Sequence, residues 1–391
     1  MNVAEVFESI YKKPPQYTAF TPYRICPLGA HLDHQLGKIT GFAIDKGIHI
    51  AYGPKENGVI EIQSLQFDKR AQWHVEATPK TKEDDWADHL RGATIALHKR
   101  YPLRRGLCAV FNGELPIGGL SSSAAVIITF LNALSRINGI SLTPEEMITI
   151  SKEAENKYVG VSCGKLDQSC EVYCKKAHLL FMDMQDDSYE LIPQHPAMKP
   201  YRIAIFFSGL ERSLAGSAYN MRVDECRSAA YALLAFAGME YGKLEQTTLR
   251  NVPEEIYQQH KEKLPDPWRK RAEHWYTECR RVEEGTRAWR EGDLETFGKL
   301  ISQSGQSSID NYEAGSPELK TLHRIIVNTP GVYGGRFSGA GFKGCCMALI
   351  DPKQEQSVVK TVEEEYLKAF PHLEGKFSAH ICQSADGVHL N

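Results

Sequence analysis

The chain has 391 residues, of which 42% are hydrophobic and 24% charged, and its formal net charge is −3 at pH 7. This length exceeds one typical core, so we expect two domains. The charge balance argues against nucleic acid or an anionic membrane as the default partner, and no apolar run predicts a membrane-spanning helix. Ten cysteines without CxxC spacing, and a start that does not read as a signal peptide, favour a cytoplasmic protein with reduced thiols.

The first predicted elements are strands. Residues 24–63 look rich in strand, and they include two runs with strand character at 48–52 and 59–63. The sequence Gly-Pro-Lys-Glu-Asn-Gly at 53–58 separates these runs and is typical of a turn. The pattern therefore predicts a β-hairpin.

Two helices are predicted next. Residues 122–137 form a dense apolar segment that reads as a buried helix stopped near Gly139. The sequence Thr143-Pro-Glu-Glu146 is a capping box with proline at the first helical position. We expect the helix that it opens to run to about Tyr158.

A domain boundary is predicted in the polar segment 186–200, which carries two prolines and precedes a fresh apolar run. We divide the chain there into residues 1–196 and 197–391. The second part is expected to begin with a strand at 202–207 and to continue as mostly amphipathic helix over 213–304.

Three glycine-rich segments carry the chemistry: 24–34 (RICPLGAHLDH), 113–125 (GELPIGGLSSSAA) and 335–345 (GRFSGAGFKGC). In the second, small residues allow the backbone to close around a ligand, and the helix that follows offers free N–H groups and a positive dipole end to an anion. No Gly-Lys-Ser/Thr follows, so the segment is not a Walker A loop. We call it the serine loop, and it predicts a phosphoryl-transfer enzyme.

Taken together, the three segments resemble the GHMP kinases and specifically their galactokinase branch, whose motifs read roughly GRxNxxGEHxDY, PxGxGLSSSA and GxRxTGAGxGGC. The resemblance covers nearly the whole chain, although the serine loop is one residue shorter than the family pattern. It implies an α+β, two-domain GHMP kinase fold, with an N-terminal domain related to a ribosomal-protein βαβ fold and a ferredoxin-like C-terminal domain. It also implies ATP and Mg²⁺ as cofactors.

The resemblance implies roles for individual residues. Asp167 would be the general base for the anomeric hydroxyl of the sugar, and Arg24 would keep Asp167 ionised and offset charge on the phosphoryl group. Glu155 and Ser122 would hold Mg²⁺. The sugar-binding residues would be Ala30, His31, Asp33, Gly164 and Tyr219. The ATP-binding residues would be Gly118, Gly119, Leu120, Ser121, Ser122, Ser123, Ala124 and Trp86.

These residue types suit the chemistry, because phosphoryl transfer needs alignment and charge neutralisation, and Mg²⁺ prefers hard oxygen ligands. Simpler interpretations stay open for several of them. Asp167 could be a helix cap, Glu155 a solvated helix charge and Trp86 an ordinary core residue. His274 is expected on a solvated helix face.

Ala30 departs from the galactokinase pattern, which has a glutamate that contacts the 6-hydroxyl of the sugar. Losing such a bond to a charged group costs roughly 1.5–3 kcal/mol, which argues against galactose. The change also removes a negative charge that would repel a carboxylate at C6. Together with His34, it is similar to the motif of plant galacturonokinases. We therefore expect ATP-dependent 1-phosphorylation of D-galacturonic acid, with Lys165, His34 or Arg212 as candidate partners of the carboxylate.

Other functions stay open from the sequence. One is a galactokinase or an arabinokinase, since arabinose has no C6 at all. Another is a non-catalytic galactokinase-like sugar sensor, and a weaker one is a mevalonate-type kinase. The serine loop, Arg24 and Asp167 are all present, which favours an active enzyme. Its partners would be a small sugar acid and ATP, and the protein would be a monomer or a small homo-oligomer.

Overall fold

The computed structural model describes residues 2–210 and 216–390. The strands are β1 (Tyr17–Ile25), β2 (Lys38–Lys55), β3 (Val59–Ser64), β4 (Ala71–His74), β5 (Gly106–Gly113), β6 (His178–Asp183), β7 (Tyr189–Pro193), β8 (Arg202–Phe207), β9 (Val332–Phe337), β10 (Cys345–Ile350), β11 (Ser378–Cys382) and β12 (Ser384–Ala385). The helices are α1 (Val3–Tyr11), α2 (Asp88–His98), α3 (Ser122–Ile137), α4 (Pro144–Glu153), α5 (Leu166–Tyr173), α6 (Gly216–Phe236), α7 (Glu254–His260), α8 (Asp266–Glu291), α9 (Leu294–Asp310), α10 (Pro317–Asn328) and α11 (Glu355–Ala369).

The first sheet is built around the long strand β2. Its order is β4-β3-β5-β2-β6-β7, with β1 and β12 also paired to β2. The predicted hairpin is wrong, because β5 lies between β2 and β3 and pairs in parallel with β3. The turn at 56–58 does reverse the chain. However, β5 is mostly buried and therefore lies at the centre of the sheet, between the two strands that this turn connects.

The two predicted helices are present as α3 and α4, but the second is shorter than predicted. Helix α3 spans Ser122–Ile137, as predicted, and the capping box at Thr143 opens α4. Helix α4 ends at Glu153, and the chain continues as a π-helical turn over Ala154–Val159 instead of as an α-helix. Such turns carry an i→i+5 hydrogen-bond pattern and are frequent at functional sites.

The second sheet is antiparallel, with the order β11-β8-β10-β9, and α9 and α10 pack on it. Helix α8 packs on α9 and on β2 and β7 of the first sheet. Helix α8 buries a stripe that includes Arg271, His274 and Glu278, which are 0%, 1% and 0% exposed. The prediction of a solvated His274 is therefore wrong. The three residues follow an i, i+3, i+7 spacing, which places them on one face of the helix.

Residues 384–390 cross back to the first sheet. Strand β12 pairs with β2, so that Ser384 lies opposite Ile44. The N–H groups of Gly387 and Val388 each donate at 2.7 Å to carbonyl oxygens in the last turn of α5. Among the described residues, no helix has the length and apolar character that a bilayer crossing requires.

Candidate active site

Arg24 and Asp167 form the centre of the site. Arg24 is the penultimate residue of β1 and is 3% exposed, whereas Asp167 lies in the first turn of α5. The Arg24 guanidinium donates from Nε and Nη2 to Oδ1 of Asp167, at 2.7 and 2.6 Å. It also donates from Nη1 to the carbonyl oxygen of Gly119 at 3.3 Å. The structure thus joins the predicted base, the predicted cation and the serine loop at one point.

The serine loop packs directly on the third glycine-rich segment. Gly118 and Gly119 have φ angles of 140° and 87°, which side chains rarely adopt. A Cβ on Gly344 would lie 2.9 Å from the backbone of Gly118, and one on Gly339 would lie 2.9 Å from that of Gly119. Only glycine fits at these contacts, so the two backbones can approach each other and form one wall.

The N-terminus of α3 is open to a ligand. Its N-cap, Ser121, has a left-handed backbone (φ 58°) and makes no side-chain cap hydrogen bond. The Oγ of Ser121 is buried without a partner among the described residues. The N–H groups in the first turn of a helix have no partner within the helix. A phosphate group would satisfy these donors and the dipole end of the helix, so the loop fits a nucleotide.

Side chains of α8 hold the backbone of the first glycine-rich segment. The carboxylate of Glu278 accepts the N–H of Gly29 at 2.8 Å, and Nε2–H of His274 donates to the carbonyl oxygen of Ala30 at 3.1 Å. Ala30 itself is 7% exposed. Burial lowers the pKa of His274 to about 4, so this ring is neutral at neutral pH.

Glu278 is the buried end of a charge network. It accepts hydrogen bonds from Ser304 at 2.5 Å and Arg281 at 2.7 Å, and its Oε1 lies 3.5 Å from Nη1 of Arg336. Burial would raise the pKa of its carboxyl, but Arg281 and Arg336 outweigh that effect and hold the pKa at about 2. Because Arg336 belongs to the third glycine-rich segment, the network connects that segment to the first one.

His31 lies in a cluster of aromatic rings. It has a left-handed backbone (φ 65°) and stacks on Tyr312, with 3.9 Å between ring centroids and 7° between planes. The ring of Tyr219 lies 6.4 Å from that of His31. The hydroxyl of Tyr312 is 3.1 Å from Nε2 of His34. A left-handed backbone at a bulky residue is unusual and is most often found at functional sites.

Asp33 and Gly164 are in direct contact. A Cβ on Gly164 would lie 2.3 Å from Oδ2 of Asp33, so a larger residue would displace that carboxylate. The N–H of Leu166 donates to the same oxygen at 3.4 Å. Burial, with a smaller effect of Asp167, raises the pKa of Asp33 to about 6. The structure therefore places two carboxylates side by side, one of them paired with Arg24.

Glu155 lies in the π-helical turn and is 4% exposed, which excludes a solvated helix charge. Its Oε2 accepts a hydrogen bond from Gln168, the neighbour of Asp167, at 2.6 Å. No group of three His, Cys, Asp or Glu side chains in the described part of the chain could hold a metal alone. One buried carboxylate and a serine hydroxyl fit Mg²⁺, because this ion usually binds through one or two carboxylates, water and substrate phosphates.

Trp86 lies just before α2 and is only partly buried. Its ring stacks on Phe67, with 5.6 Å between centroids and 3° between planes, and its Nε1–H donates to the carbonyl oxygen of Lys69 at 3.0 Å. It packs at the edge of the core. A partly exposed aromatic pair of this kind can accept a flat ring.

The three candidate partners of a sugar carboxylate differ in position. Lys165 forms an ion pair with Asp187 at 2.5 Å, in the turn between β6 and β7, so its ammonium group is already engaged. His34 lies in the ring cluster, and burial, with a smaller effect of Arg227, lowers its pKa to about 3. Arg212 lies outside the described residues.

The sequence interpretation missed four contributors: Glu278, His274, Tyr312 and Arg336. For Glu278 and His274 the sequence signal was their spacing on α8. Residues that share one buried face of a helix follow this helical spacing even when they are polar. Arg336 lies in the third glycine-rich segment, whereas Tyr312 lies outside all three segments.

The arrangement has the requirements of phosphoryl transfer: an acid beside a cation, an anion-binding helix end, and glycine backbones that close around both. Two family models match the chain, one described as GHMP kinases N terminal domain (residues 80–175) and one as GHMP kinases C terminal (residues 286–368). Together, the fold and the site define a small-molecule kinase.

Similar proteins share almost the full length of the chain. The galacturonokinase of Arabidopsis thaliana is 39% identical over 393 residues, covering 94% of this chain and 92% of that protein. The galactokinase of Roseiflexus sp. (strain RS-1) is 30% identical, with 99% and 96% covered. The crystal structure of Lactococcus lactis galactokinase complexed with galactose has a TM-score of 0.90 at 25% identity, with 99% and 98% covered. The chain belongs to the galactokinase branch of the GHMP kinases, has their two-domain α+β fold, and is a sugar kinase.

Proposed function

We propose that this enzyme transfers the γ-phosphoryl group of ATP to the anomeric hydroxyl of D-galacturonic acid, giving galacturonate 1-phosphate and ADP. The observation that carries the substrate is Ala30, which is buried in the sugar segment where the galactokinase motif has glutamate. The similarity to a protein named galacturonokinase supports the same substrate.

In the proposed reaction, Asp167 accepts or orients the proton of the anomeric hydroxyl. Arg24 keeps that carboxylate ionised, because a cation in contact favours the charged form of an acid. The same guanidinium lies near the transferring phosphoryl group and offsets its negative charge. His31, Asp33, Gly164 and Tyr219 hold the sugar hydroxyls.

The serine loop from Gly118 to Ala124 holds the nucleotide phosphates on the N-terminus of α3. Glu155 and Ser122 bind Mg²⁺, which when bound neutralises phosphate charge. Trp86 stacks on the adenine. The partly buried indole and its parallel partner Phe67, which is exposed, support this role.

The charge at position 30 decides the substrate in this proposal. A glutamate ~4 Å from a sugar carboxylate would repel it by about 4 kcal/mol at an effective dielectric constant near 20, which is on the order of a thousandfold in affinity. Alanine removes this repulsion and leaves room for the larger C6 group.

The test compares kcat/KM for D-galacturonate, D-galactose and L-arabinose with saturating ATP and Mg²⁺, and Asp167→Asn is the blank. We expect a strong preference for galacturonate. Ala30→Glu should lower galacturonate turnover by about a thousandfold. Ala30→Gln, which has the same size without the charge, should lower it much less. Equal or better turnover of galactose by the natural protein would overturn the uronate proposal and leave a galactokinase.

Two further properties are part of the proposal. All ten cysteines have free thiols, which supports a reducing compartment and hence the cytoplasm. The protein would act as a monomer or a small homo-oligomer. The intact pair of Arg24 and Asp167 supports an enzyme over a non-catalytic sensor.

A further inference from the structure

Three buried histidine rings are arranged around Tyr312, close to Ala30. His31 stacks on the tyrosine, His34 bonds to its hydroxyl, and the ring of His274 lies 5.2 Å from it. Their exposed fractions are 7%, 9% and 1%. A buried group of imidazoles can supply either hydrogen-bond donors or positive charge, depending on its protonation.

His31 differs from the other two histidines in its ring nitrogens. His34 uses both of them, one on the Tyr312 hydroxyl and one on the amide of Gln35. His274 also uses both, one on Ser307 and one on the Ala30 carbonyl oxygen. Neither nitrogen of His31 has a hydrogen-bond partner among the described residues, so this ring can bind a ligand with both.

Three buried arginines near these rings, among the residues that the structure describes, are already paired with carboxylates. The pairs are Arg24–Asp167 (2.6 Å), Arg336–Glu278 (3.5 Å) and Arg271–Glu225 (2.6 Å). Asp33 adds a further acid on the same segment as His31. A sugar carboxylate would therefore enter a site where these three described arginines are engaged, and a buried carboxylate without a cation is very unfavourable.

We propose that His31 takes up one proton from solvent when the sugar acid binds, and that the resulting imidazolium pairs with the C6 carboxylate next to Ala30. The inference rests on the proposed substrate. The proton adds to a free ring nitrogen, and no other bond is made or broken. The carboxylate supplies the opposite charge, which no described carboxylate provides through an ion pair with this ring.

Several groups determine the charge on His31. Burial, followed by the effect of His274, keeps the pKa of free His31 well below its ordinary value. The titratable and charged groups around it are Asp33 and His34 on its own segment, Arg24 on β1, Tyr219 on α6, His274 on α8, Tyr312 after α9 and Arg336 on β9. A bound carboxylate opposes the effect of burial and favours the imidazolium form of His31.

Galacturonate binding should therefore depend on pH, whereas galactose binding should not involve this proton. Above the pKa of free His31, each bound uronate brings one proton, so its Kd should rise about tenfold for each pH unit. The rise ends above the pKa of His31 in the complex. A fixed lysine or arginine as the partner would give no such slope.

The test is isothermal titration calorimetry on the full chain in two buffers with different ionisation enthalpies, which counts the protons taken up. We expect about one proton per site for D-galacturonate at neutral pH and about none for D-galactose. Galacturonate binding without proton uptake would overturn the inference and leave the proposed substrate intact. If galactose binds and galacturonate does not, both the substrate and the inference fail.

A pair of variants assigns the proton. His31→Gln keeps a hydrogen-bond donor but cannot become charged, so proton uptake and the pH slope should both disappear. His34→Gln is the matched control and should keep both. Proton uptake that persists in His31→Gln would contradict the assignment and point to Asp33. The proton count on the unaltered protein stands even if either variant folds poorly.

Discussion

Replacing Glu278 by glutamine should destabilise the protein strongly. The amide oxygen can still accept the N–H of Gly29, but Arg336 and Arg281 would lose the buried charge that they pair with. Removing one partner of a buried ion pair costs about 3–5 kcal/mol. The lowered pKa of Glu278, which has the same two arginines as its cause, leads to a similar magnitude. A carboxyl held at about 2, against 4.5 for an ordinary glutamate, contributes about 3 kcal/mol of stability at neutral pH.

The assay is urea unfolding followed by tryptophan fluorescence, because Trp275 and Trp289 are buried on the same helix as Glu278. Glu283→Gln is the control on that helix: its carboxylate is 61% exposed and pairs with Lys38 at 3.0 Å, so we expect a loss of at most about 1 kcal/mol. A loss in Glu278→Gln no larger than in the control would refute the reasoning.

The same network predicts a pH dependence. Because the pKa of Glu278 is lowered in the folded state, its contribution is complete above about pH 4.5 and is lost as the pH falls towards 2. The natural protein should show this acid limb in the free energy of unfolding. Glu278→Gln should show a smaller acid limb, and the remainder comes from other carboxyls with a lowered pKa, such as Glu153.

Three further changes test the site. Gly119→Ala should abolish activity, because the new Cβ would lie 2.6 Å from a cysteine sulfur and the backbone φ is 87°. Steady-state turnover measures this, and near-normal turnover would contradict the prediction. Arg24→Lys should lower kcat by more than tenfold with a small change in the KM for ATP, because a lysine cannot make both bonds to Asp167. An unchanged kcat would show that the positive charge alone suffices. Gly164→Ala should raise the sugar KM by displacing Asp33, while the KM for ATP serves as the internal control.

The local features of the fold could be predicted from the sequence, but the long-range pairing could not. The bounds of α3 and the capping box at Thr143 depend on neighbouring residues, and the structure confirms both. The hairpin prediction failed because β5, more than forty positions further along, inserts between the two strands. The π-helical turn after Glu153 has no sequence signal comparable to a cap, so the α-helix was extended too far.

The site could be predicted where a motif carried it. Arg24 and Asp167 meet as expected, and Asp33 meets Gly164. The supporting residues on α8 were missed because a histidine and a glutamate among many charged residues read as solvated. Their burial comes from tertiary packing. The only local sign of it is the helical spacing of Arg271, His274 and Glu278 on one face of α8.

The return of residues 384–390 to the first sheet has a consequence for the order of folding. The N–H of Gln383 bonds to the side chain of Asp45 across 338 positions, and the last turn of α5 is capped by Gly387 and Val388. Contacts of such long sequence separation form late and slow folding. Helix α5, which carries Asp167 in its first turn, therefore reaches its final form only after Val388 has been synthesised, so a nascent fragment that contains all three glycine-rich segments would still lack this cap.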